Sequence, residues 1–148
     1  MIASFSVCAV VLLGVYWFRQ ACSGILRNGT GDYAGQVAST NHLTFVRTSS
    51  MLAGKPEEVQ LQSLDLAEQA LGRDYRIVRY LMANGSRPNH HTAEHWLLAL
   101  DFQLMRLLYR TAKPFSRSVP KRALLEMCSI VRYQANSVGR VLVRSASA

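Results

Sequence analysis

Seventeen consecutive residues near the amino terminus, Ile2 to Phe18 (IASFSVCAVVLLGVYWF), carry no charge and are mostly apolar. As an α-helix rising about 1.5 Å per residue this run is roughly 26 Å long, close to the shortest helix that crosses a bilayer. Tyr16 and Trp17 stand at its end, where amphipathic rings favour the headgroup interface, and Arg19 follows at once. A cleaved signal peptide fits less well. No Lys or Arg precedes the run, and Phe18-Arg19-Gln20 occupies the exit where small residues belong. Ala21-Cys22 is the end of a lipoprotein-type cleavage site, but Arg19 stands where that site wants leucine. A buried helix of a soluble protein is the remaining alternative. The sequence thus predicts a single transmembrane anchor over residues 1–19, and everything after it must fold as its cargo.

Orientation follows from the flanks. Basic residues are absent before the run, whereas Arg19 and Arg27 follow it, so the positive-inside tendency places the C-terminal body in the cytoplasm. The three cysteines, Cys8, Cys22 and Cys128, are scattered and odd in number, which argues against a disulfide framework and for a reducing compartment. Cys22 is placed for palmitoylation, or is an ordinary interfacial cysteine. Asn28-Gly29-Thr30 and Asn84-Gly85-Ser86 fit the glycosylation sequon, but a cytoplasmic body removes that role and Asn-Gly is also turn chemistry.

Residues 20–56 hold five glycines and many Ser, Thr and Asn, and read as a flexible linker. Its sticky points are Tyr33 and the run Leu43 to Val46. From Pro56 the texture changes. Pro56-Glu57-Glu58 opens a helix whose apolar face (Leu64, Ala67, Leu71, Tyr75, Val78, Met82) recurs every three or four residues until Asn84-Gly85. Gly72 costs that helix about 1 kcal/mol relative to alanine and marks where it could divide in two. Arg73, Arg76 and Arg79 form a basic stripe on its outer side. A second helix, Thr92 to Ala112, is apolar nearly all round, which predicts that it is covered from several sides and sits at the centre. After Lys113-Pro114, Ser118 and Pro120 open a third helix with a seam of Leu124, Cys128, Val131, Ala135, Val138 and Leu142. The fold expected is all-α: an anchor, a linker, a small antiparallel three-helix bundle over residues 57–144, and a frayed tail over 145–148. A bundle this small is stabilised by about 3–5 kcal/mol, so a partner surface could contribute.

His91-Thr92-Ala93-Glu94-His95 resembles the His-x-x-Glu-His spacing of one class of zinc peptidases. Two histidines four apart on a helix share a face, and Glu94 between them could polarise a metal-bound water. His91, Glu94 and His95 are therefore the candidate metal ligands. Against this, Pro88 prevents an early helix start, so that with Thr92 as the cap His91 falls outside the helix. A third protein ligand is also needed. The available carboxylate, Glu126, is expected roughly 20 Å or more from His95 in an antiparallel bundle. The alternative is a solvated helix entrance in which Asn89 or Thr92 caps and Glu94 complements the dipole. Haem ligation by His95 would have only His42 as a second histidine, in the linker. No cofactor-binding set and no complete catalytic set can be picked out.

Charge is distributed unevenly. Residues 1–105 balance eight Lys/Arg against eight Asp/Glu, whereas from Arg106 nine basic residues face Glu126 alone. Arg106, Arg110, Lys113, Arg117, Lys121 and Arg122 gather around the connection between the second and third helices and form a candidate anion-binding surface. Anionic lipid or an acidic protein face suits it better than nucleic acid, for which no interleaved aromatic platform is present. The reading is a membrane-anchored helical module with a non-catalytic binding or assembly role and a protein partner. A zinc-dependent hydrolase and a basic nucleic-acid- or anionic-lipid-binding domain are the alternatives.

Overall fold

The computed structural model describes residues 2–27, 32–53, 61–85, 92–116 and 118–146. They form six α-helices: α1 (Ile2–Arg27), α2 (Ala34–Thr40), α3 (Phe45–Ala53), α4 (Leu61–Gly85), α5 (Thr92–Ala112) and α6 (Ser118–Ala146). No strand occurs among the described residues. The all-helical expectation holds. Pro56 to Glu58, the expected opening of α4, and residues 147–148 of the tail lie outside the described residues.

α4 is one continuous helix through Gly72, so the glycine does not divide it. A Cβ there would meet the Arg106 guanidinium at ordinary contact distance, Nη2 at 3.7 Å and Cζ at 3.9 Å. The expected α4 face is buried at Leu64, Ala67, Leu71, Tyr75 and Val78. α5 contributes Leu98, Phe102, Met105 and Tyr109, with Tyr75 and Phe102 stacked at a centroid distance of 3.9 Å. Pairings fix the directions. Asp65 on α4 meets Tyr109 and Lys113, whereas Glu68 meets Arg106 and Arg110, so α4 and α5 run antiparallel. The Tyr133 hydroxyl of α6 donates to Glu94 near the start of α5, 3.3 Å away, while Glu126 lies beside Asp101, so α5 and α6 are antiparallel as well.

The central helix is α6, not α5. α6 packs against every other helix. Its expected seam is buried from Leu124 to Val138, with Leu142 exposed, and α6 also buries a second face of Ala123, Met127, Ile130 and Gln134. Trp96, Leu100, Leu104, Leu107 and Leu108 of α5 are exposed instead, Trp96 by 65%. Size explains the exchange. Cys128, Ala135 and Gly139 are small enough to let neighbouring backbones approach α6 from several sides. A Cβ on Gly139 would stand 2.4 Å from Tyr33 Cβ and 3.3 Å from Val37 Cγ2.

The segment expected to be a flexible linker carries α2 and α3, both packed on α6 through Val37, Ala38, Phe45 and Leu52. Neither short helix would be stable alone. Each borrows its N-terminal cap from a long helix. Asn136 Oδ1 accepts from the Ala34 N–H at 2.6 Å. Asp74 Oδ2 accepts from the N–H groups of Thr44 (2.6 Å) and Phe45 (2.8 Å) and from the Thr44 hydroxyl (3.0 Å). These side chains satisfy donors that a helix start leaves open, and Asp74 adds charge favoured by the dipole. α2 ends in a Schellman turn, in which the Leu43 N–H donates to Ala38 carbonyl (2.9 Å) and His42 takes a left-handed φ of 52°.

Candidate functional site

A polar cluster joins three helices where α1 meets α5 and α6. α1 continues without a break past its apolar run. Residues 9–17 are exposed around the whole helix, so that part stands away from the body. Residues 19–27 then dock, with Ile25 and Leu26 against the core and Cys22 fully buried, its thiol directed at the Leu97 carbonyl 4.0 Å away. Arg19 grips from the edge. Its guanidinium forks onto Glu126, with Nη1 on Oε1 and Nη2 on Oε2 at 2.6 Å. Nη1 also reaches Asp101 Oδ1 at 3.2 Å and Met105 Sδ at 3.4 Å.

Asp101 is wholly buried, and its second oxygen, Oδ2, has no hydrogen-bond partner among the described residues. Burial pushes its carboxyl up to about 6, and neighbouring Glu126 adds to the rise while Arg19 opposes it. Two carboxylates and one guanidinium thus share a site that excludes much water. Such a triad specifies a docking geometry; whether it stabilises depends on keeping all three members. Sequence reasoning missed it because Arg19 reads as the flank of an anchor, and its partners are 82 and 107 residues away.

The candidate zinc residues are placed as follows. His91 lies outside the described residues. Glu94 and His95 are half-buried in the first turn of α5, Glu94 accepting from Tyr133 and complementing the helix dipole. Glu126 is nearer than expected: its neighbour Asp101 lies only about 9 Å along the axis from His95. The carboxylate is engaged by Arg19, however. Among the described residues no three His, Cys, Asp or Glu side chains gather as a metal site.

The candidate anion-binding residues divide. Arg106 and Arg110 both contact Glu68, through Nε at 2.5 Å and Nη2 at 3.3 Å. Lys113 pairs with Asp65 at 2.5 Å, and this hydrogen bond, aided by that from Tyr109, holds the Asp65 carboxyl below the usual carboxylate range. These three cations bind α5 to α4 and are partly neutralised. Arg122 is exposed, Lys121 is half-buried, and Arg117 lies outside the described residues. The stripe of Arg73, Arg76 and Arg79 is exposed as expected, and lines a groove against α5. Comparison of the chain with protein-family profiles, with curated proteins and with solved structures returns no match.

Proposed function

We propose that this chain is a single-pass, membrane-anchored helical module. Its body, an antiparallel bundle of α4, α5 and α6 wrapped by α2 and α3, faces the cytoplasm and serves a non-catalytic binding or assembly role. The observation that carries the reading is the continuity of α1. Its apolar residues 9–17 are exposed on all sides, and the next two turns are built into the body through Arg19 and Cys22. The uncharged run ahead of Arg19, residues 2–18, is about 26 Å long as a helix, close to the shortest that crosses a bilayer. Removal of the segment as a signal peptide, with Arg19 lost, would leave Asp101 and Glu126 facing each other without their cation. An anchor joined in this way transmits its orientation to the body, as a flexible tether does not. The exposed leucines of α5 and the basic connection around Arg122 give the body an apolar and a cationic surface for the bilayer or for a protein partner.

Cell fractionation tests this. The chain is expected to resist alkaline carbonate extraction and to keep residues 1–19 in its mature form. The body should be digested by protease only where the cytoplasmic side of sealed vesicles is exposed. A mature N-terminus beyond Arg19, or quantitative extraction, would overturn the proposal.

A further inference from the structure

α4 places Arg73, Arg76 and Arg79 one turn apart, an axial rise of about 4.5 Å between neighbours. α5 brings Arg106 to the same groove, a cleft of about 830 Å³. Arg73, Arg76 and Arg79 have no carboxylate partner among the described residues; Arg106 is held by Glu68. Four guanidinium groups against one carboxylate leave a net charge of three. Gly72 keeps the floor low, and Tyr75 and Phe102 beneath are 4% and 1% exposed. An apolar floor on one side weakens dielectric screening and strengthens every charge above it. Gln69 and Gln103 line the walls and add amide donors and acceptors.

Arg76 Nε donates to the Gly72 carbonyl at 3.3 Å and Arg79 lies 5.9 Å over the Tyr75 ring, contacts that position the two guanidinium groups without neutralising them, so the charge they carry matches an anion from outside. Guanidinium forks suit phosphate oxygens bidentately, and three of them spaced over about 9 Å match two or three linked phosphates better than one carboxylate. The volume lies within the range of small-molecule sites. We propose that the α4–α5 groove binds a compact polyphosphate anion, either free in solution or as the headgroup of a polyphosphorylated lipid. Arg73, Arg76 and Arg79 take the phosphates, Arg106 closes one wall, and Gly72 leaves the room. The site is separate from the docking triad and from the α5–α6 connection.

The test is calorimetric titration of the full chain, in a non-ionic detergent at low salt, with two probes: inorganic triphosphate and a soluble inositol polyphosphate. Saturable one-site binding is expected with at least one probe. Arg73→Gln and Arg76→Gln should each weaken it about tenfold or more. Gly72→Glu should abolish it while the helical circular dichroism stays unchanged. Arg122→Gln, the same charge change outside the groove, should leave binding intact. Tighter binding of the inositol probe assigns the lipid-headgroup source, and equal or tighter binding of triphosphate assigns the soluble one. Absence of saturation with both probes overturns the proposal. So does an equal loss in Arg122→Gln, or binding confined to long RNA strands.

Discussion

Replacing Arg19 with leucine removes the one cation shared by Asp101 and Glu126 while keeping a helix-forming, apolar side chain. Breaking a buried ion pair by deleting one partner costs about 3–5 kcal/mol, because the surviving charges are left uncompensated. Arg19 is 39% exposed and Glu126 21%, so solvent screens part of the loss and a cost of about 2–3 kcal/mol is expected. For a chain of this size that corresponds to a fall in Tm of about 6–12 °C, read by circular dichroism in detergent micelles. A second readout is specific to docking. Cys22 is fully buried, so release of α1 should accelerate its maleimide labelling in a Cys8→Ser background. The double replacement Asp101→Asn with Glu126→Gln should restore most of the lost stability. pH gives an independent check. The Asp101 carboxyl in the folded protein titrates at about 6 against an ordinary 3.8, so between those values the folded state binds more protons than the unfolded state. Stability from this group therefore rises as pH falls from 7 toward 4, by at most about 3 kcal/mol, and Asp101→Asn should flatten the rise. Below that window the Asp65–Lys113 pair is protonated apart and the gain reverses. An Arg19→Leu protein within about 0.5 kcal/mol of the parent, with Cys22 still protected and no rescue, would refute the reasoning.

Three further outcomes depend on contacts elsewhere. Gly139→Ala should destabilise by about 1–3 kcal/mol by thermal melt, because its Cβ would stand 2.4 Å from Tyr33 Cβ and force α2 outward; unchanged stability would show that α2 is not seated on α6. Asp74→Ala should cost about 2 kcal/mol or more and speed amide hydrogen exchange at Thr44 and Phe45, since three donors lose their acceptor. His42→Gly should raise stability by about 1 kcal/mol by relieving the left-handed φ of 52°, and a loss would mean that the imidazole contributes a contact worth more than that strain.

Much of the body was legible because its signals are local. α5 begins and ends at the expected Thr92 and Ala112, and α6 begins at Ser118, where caps, prolines and apolar spacing agree. The candidate sites were less legible. The basic residues after Arg106 could be counted along the chain, but Glu68 and Asp65, which engage three of them, lie about forty residues earlier. The Arg73–Arg79 stripe was visible, whereas the wall that Arg106 adds to it was not.

The sequence by itself determined that the chain is helical, that its first helix opens with an apolar run, and where α5 starts and stops and α6 starts, but not that α1 runs on to Arg27. Those properties follow from side-chain periodicity and from backbone restrictions that act within a few residues. Tertiary structure alone decided which helix lies at the centre, that Ala34–Thr40 and Phe45–Ala53 are helices, and that Arg19 meets Asp101 and Glu126. In each case the decisive group comes from a distant part of the chain: a trans cap from Asn136 or Asp74, room at Gly139, or a carboxylate for Arg19. Such groups act only once packing has brought the helices together, and their spacing along the chain carries no period to read.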